Sequence, residues 1–141
     1  MALDDISSRC NAIEECYEFM LAYAGQGLSG KENSGSSSQV REYLGRAVEA
    51  LSGLAEAYST AVKQGNLQPA ESFLAFLGVL ERDARDSLAA VQLVLSQATL
   101  SSQLIDNLNA SIHLRALLTD LFLVDEILKP QQAQAKPAIT G

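Results

Sequence analysis

Few residues in this chain are of types that could do chemistry: a single histidine, two cysteines and a short group of glutamates. His113 is the only histidine, Cys10 and Cys16 stand six residues apart, and Glu14, Glu15 and Glu18 fall around Cys16. On a helix, Glu14 and Glu18 share a face with Cys10, so Cys10, Glu14 and His113 are the residues that could hold a metal between a first and a last helix. The pattern for a known metal centre is missing. Structural zinc needs several Cys or His ligands at short spacing. Di-iron bundles repeat Glu-x-x-His, and covalent haem uses Cys-x-x-Cys-His. A bundle haem held by Met20 and His113 would need those two at one level, and an antiparallel pairing sets His113 opposite residues 13–16 instead. A core or boundary histidine is the favoured reading.

The surroundings of His113, Ser111-Ile112-His113-Leu114-Arg115-Ala116, carry neither the acidic neighbour of a kinase dimerisation motif nor the Lys-Gly of a phosphotransfer domain. Nothing resembles a phosphate loop, a nucleophile elbow or a dinucleotide turn. No catalytic residue and no cofactor are expected. The two cysteines lie on different faces of one helix and cannot bridge within it. They read as reduced, buried thiols of a cytoplasmic protein.

The elements that position these residues are all helical by pattern. Of 141 residues, 48% are apolar and 19% charged, a globular balance in which Leu and Ala, both good helix formers, replace tryptophan and most aromatics. Alternating steps of three and four mark four segments. The first runs from Leu3 to Tyr23 through Ile6, Cys10, Ile13, Tyr17 and Met20, with Asp4 and Asp5 at its start and Gly25 and Gly27 at its stop. A Gly/Ser-rich stretch, 27–38, follows as a flexible loop.

The second segment, from Ser38 to Gly65, carries Val40, Leu44, Ala47, Leu51, Leu54, Tyr58 and Ala61. It also holds a row of small residues, Ala50, Gly53, Ala57 and Ala61, that suggests close approach of a neighbouring backbone. Glu42, Glu49 and Glu56 repeat along a solvated flank, where Arg46 can pair with Glu42. The third opens at Pro69 and carries Phe73, Leu77, Leu80, Ala84, Leu88, Val91 and Leu95, with the mixed-sign run 81–86 as its solvated face. The fourth is capped by Ser101 or Ser102, at a boundary weak enough to allow one longer helix, and stops before Pro130. These spacings predict an all-α domain over 1–129, an antiparallel four-helix bundle, with a disordered tail at 130–141.

The fourth segment has more apolar surface than its own core needs. Leu114, Leu117, Leu121, Val124 and Leu128 form one stripe, while Ile112, Ala116 and Leu123 lie on a second flank. A core-facing helix needs an apolar face near 100° wide; the surplus is covered by the same chain or meets a partner. On the second view Leu114, Leu117, Leu121, Leu123, Val124 and Leu128 are the expected interface of a homodimer.

The formal net charge of −7 repels phosphate backbones, and no basic stripe compensates, so nucleic acid is an unexpected partner. The first residues have no secretory pattern, and no apolar run approaches the length of a membrane span. The leading expectation is a non-catalytic accessory or adaptor protein that self-associates and can offer an acidic helical surface to another protein. The alternative is a bundle holding a metal or small ligand between its first and fourth helices. A third, a bundle that opens onto a lipid or polymer surface, fits the acidic balance less well.

Overall fold

The computed structural model describes the backbone of residues 2–27 and 34–134, and the side chains of 5–27 and 38–128. These residues form six helices and no strand: α1 (Ala2–Ala24), α2 (Ser34–Ser52), α3 (Leu54–Gln64), α4 (Ala70–Leu95), α5 (Ser102–Ala110) and α6 (His113–Gln134). The all-α expectation holds, but six helices replace the expected four. The second and fourth segments are each broken once.

The first break is at Gly53, which separates α2 from α3. The last carbonyls of α2 bond to a side chain from another helix instead of continuing the ladder. Arg9 of α1 donates Nη1 to the carbonyls of Glu49 and Ala50, each at 3.0 Å, and holds its own orientation through Asp5 at 3.2 Å. The second break is at Ile112, where φ of 64° puts a β-branched residue in the left-handed region. Sterics disfavour that region for any L residue with a branched Cβ.

The punctuation expected elsewhere is largely in place. Gly27 takes a left-handed φ of 69° in the turn that ends α1. Ser101 caps α5, its side chain accepting from the Leu104 amide at 3.1 Å. Pro69, the expected first helical residue, sits just outside as the N-cap of α4. Two boundaries move. α2 begins at Ser34 inside the Gly/Ser stretch, because a helix anchored at Val40 and Leu44 gains one backbone bond for each residue added. α6 passes through Pro130 to Gln134, since an interior proline removes one bond and bends a helix without always ending it. Residues 28–33 of the expected loop and 135–141 of the expected tail lie outside the described residues.

The core follows the seam of the second segment throughout, but on α1 Cys16 and Tyr23 are buried while the seam residues Cys10 and Tyr17 are only half-buried. Ile13, Cys16, Met20 and Tyr23 of α1 meet Val40, Leu44, Ala47 and Leu51 of α2, Leu54, Tyr58 and Ala61 of α3, Leu80 and Val91 of α4, and Ile105, Leu117 and Leu121 of α5 and α6. α1 packs on α2, α3, α5 and α6, and α4 packs on α2, α3, α5 and α6. Long-range polar contacts fix which ends meet. The Tyr23 hydroxyl donates to the Leu100 carbonyl, and Ser102 Oγ donates to the Tyr23 carbonyl at 2.6 Å. This joins the end of α1 to the start of α5. Arg41 of α2 donates to the carbonyls of Leu95, Gln97 and Ala98 at 2.8–3.2 Å, closing the end of α4 as Arg9 closes the end of α2. No helix among the described residues is long and apolar enough to cross a membrane.

Candidate functional site

The residues with chemical potential are not brought together. Cys10 is half-buried on α1, where its neighbours Ile6 and Ser7 and the α6 residues Leu121, Val124, Asp125 and Leu128 surround a void of about 20 Å³. A void that small has room for about one water. Burial, then the charges of Glu14 and Asp125, push the Cys10 thiol up to about 11. Cys16 is fully buried, and burial pushes it up to about 12. Both stay protonated near neutrality, when metal binding needs the thiolate. His113 is exposed as the first residue of α6. Among the described residues no three His, Cys, Asp or Glu side chains gather as ligands, so Cys10, Glu14 and His113 do not form the metal site the alternative reading required. Periodicity placed Cys10 and Glu14 on one face correctly, but the break at Ile112 moves the start of α6 to the surface.

The surplus apolar surface of the fourth segment divides sharply. Leu114, Leu117, Leu121, Val124 and Leu128 are buried within the chain. The helices of this same subunit cover them, which corrects the expectation that they face a partner. Leu123 is the exception at 52% exposure, and Phe122 at 46% and Ile127 at 45% join it. Leu123 and Ile127 are four residues apart and therefore lie one above the other on the flank of α6.

Beside this flank runs the site with the clearest apolar character. Tyr58 of α3, Gln68 and Pro69 of the turn, Ser72, Phe73 and Phe76 of α4, and Leu123, Val124 and Ile127 of α6 line a groove of about 310 Å³. Tyr58, Phe73 and Val124 are buried and form its floor, while Leu123 and Ile127 stand at its rim. The groove has few polar groups to offer. The Tyr58 hydroxyl is committed to the Phe73 carbonyl at 2.7 Å, and burial raises its pKa, so the ring presents carbon and no charge. The Gln68 amide donates to Asn66 Oδ1 at 3.2 Å. Apart from the Ser72 hydroxyl and the Gln68 amide the lining is apolar, and no acid, base or cation is among these residues to activate that hydroxyl. What the surface can do is exclude water from another apolar surface. Leu123 is legible in the sequence; Phe73 and Tyr58 belong to core stripes by spacing, and periodicity does not show where a core face opens.

One pair of acids was missed. The run 81–86 was expected to be a solvated face, yet Asp83 of α4 lies within hydrogen-bonding reach of Asp120 of α6. No spacing rule connects residues so far apart. Compared with protein families, with curated proteins and with solved structures, the chain shows no significant match.

Proposed function

We propose that this chain is a non-catalytic accessory or adaptor protein that acts through helical protein–protein contact and associates with a second copy of itself. On this reading α2–α3 and α5–α6 are each one bent limb, and with α1 and α4 they make an antiparallel bundle of four limbs. Its surface is acidic, its thiols are reduced as in a cytoplasmic protein, and it takes no cofactor and no nucleic acid. The observation that carries the reading is the apolar groove between α3, α4 and α6, with Leu123 and Ile127 exposed along it. Burying one leucine contributes about 1.5–3 kcal/mol. Two copies of the Leu123–Ile127 flank, each laid in or beside the other's groove, give a self-complementary contact of the kind two-fold dimers use.

Sedimentation tests this directly. The wild-type chain is expected to associate at micromolar concentration. Leu123→Asp is expected to weaken that association at least about tenfold, from loss of about 1.4 kcal/mol or more. Because Leu123 is half exposed, its circular-dichroism spectrum and melting should be close to wild type. A chain that stays monomeric at every concentration would sink the dimer.

A further inference from the structure

The two walls of the groove, α4 and α6, meet along a seam that contains the Asp83–Asp120 pair. Asp120 lies one turn before Leu123, and Asp83 lies two turns after Phe76, so the pair sits beside the groove on the same seam. Among the described residues, neither carboxyl is in an ion pair with Lys or Arg. Asp120 Oδ2 is buried, and among the described residues no N–H or hydroxyl donates to it. Two carboxylates so close repel when both are charged, but one proton between them makes a hydrogen bond.

The other charged groups near Asp120 lie elsewhere on the elements packed against it. On α6 itself, Arg115 shares with Ile112, Ala116, Thr119 and Asp120 an open depression of about 370 Å³, through which solvent reaches the Asp120 side of the pair. α1 meets α6 further along, where Cys10 stands near Asp125. The one acid of α5, Asp106, lies beside Ala24 and Gly27 at the end of α1. On α4, Arg82 and Asp86 flank Asp83 as exposed residues, and on α3 Glu56 and Lys63 are exposed. Burial weighs most on the Asp120 charge, and Asp83 is the neighbouring acid that adds to it.

We infer that Asp83 and Asp120 form a proton-dependent latch across α4 and α6 that regulates the groove, and so the self-association proposed above, on which this inference rests. With one proton shared, the seam is closed and the groove keeps its shape. Once that proton leaves, an uncompensated charge at Asp120 pushes α6 away from α4, and the groove loses the alignment of its two walls.

Burial first, then the hydrogen bond and charge of Asp83, raise Asp120 from 3.8 to about 7. A carboxyl whose folded pKa is raised binds more protons folded than unfolded between those values. Stability therefore falls as pH rises from about 4 through about 7 and is level above that.

The test combines three measurements on the full-length chain. Carbon-detected NMR of the wild type is expected to show the Asp120 carboxyl titrating near neutrality; titration in the ordinary carboxylate range would overturn the latch, whatever the variants do. Wild-type melting temperature is expected to fall by several degrees from about pH 5 to about pH 8. Asp120→Asn, whose amide donates to Asp83, is expected to flatten that slope and to melt above wild type at about pH 8; an unchanged slope would overturn the latch. In sedimentation, wild-type association is expected to weaken about tenfold between about pH 6 and about pH 8, and Asp120→Asn to stay tight at both. Association that ignores both pH and the substitution would overturn the regulation and leave the dimer standing. A chain monomeric at every pH would overturn the dimer and its regulation together, with titration and melting still judging the latch.

Discussion

At the scale of single residues, environment turns off groups that look reactive in the sequence. Cys10 carries a thiol beside two carboxylates and inside a packed seam, the opposite of the electropositive setting that activates cysteine. Its pKa, raised from 9.0 to about 11, lowers the thiolate fraction near neutrality about a hundredfold. Iodoacetamide labelling followed by intact-mass measurement is therefore expected to modify Cys10 about a hundredfold more slowly than an unperturbed thiol. Cys16, fully buried, should label only under denaturing conditions. Rapid labelling of Cys10 in the native chain would mean that the α1–α6 seam opens there. The turn between α5 and α6 carries strain at another residue. Ile112 adopts a left-handed φ of 64° with no glycine to make it easy. Ile112→Gly removes the branched Cβ and is expected to stabilise the chain by about 1 kcal/mol in urea unfolding, after the entropy glycine adds to the unfolded state is subtracted.

At the scale of elements, two helices take a closing contact from outside themselves. Arg9 and Arg41 each reach from one helix to the terminal carbonyls of another, so two helix ends depend on tertiary contact. Gly53 shows the cost of that device. The row of small residues around it suggested a neighbouring backbone; what approaches is the Arg9 guanidinium, and a Cβ at position 53 would lie 2.7 Å from Arg9 Nη2. The backbone at Gly53 (φ −114°) is open to any residue, so alanine gains about 0.4–1 kcal/mol by restricting the unfolded chain. It also displaces a guanidinium whose charge-assisted bonds, partly exposed to solvent, are worth somewhat more. Gly53→Ala is expected to destabilise by about 1 kcal/mol. In an Arg9→Ala background the same change should become neutral or stabilising, because nothing is left to displace. A double-mutant cycle by urea denaturation reads the sign.

At the scale of the whole molecule, one seam divides the fourth segment into core and surface. α6 turns Leu114, Leu117, Leu121, Val124 and Leu128 inward against α1, α4 and α5. It leaves Leu123 and Ile127 outside along the groove and Phe122 exposed on another face of α6. The same packing sets Asp83 of α4 beside Asp120 of α6, on the helix pair that walls the groove. The chain's few chemically versatile groups are meanwhile spent on structure: Tyr23, Tyr58 and Ser102 each satisfy a backbone carbonyl.

The helical class and the inward stripes were set by the sequence alone. A helix that must hide one face from water repeats apolar residues every three to four positions, and that period is local. Thus every residue of the Val40–Ala61 stripe is buried. The stops at Gly27 and the cap at Ser101 are equally local, since they depend on backbone freedom and on a hydroxyl three residues from an amide. Only the tertiary structure decided the break at Ile112, the reach of Arg9 and Arg41, the opening of the groove and the meeting of Asp83 with Asp120. Each depends on which distant side chains arrive at the same place, and one-dimensional spacing carries the period of a helix but not the identity of its neighbour.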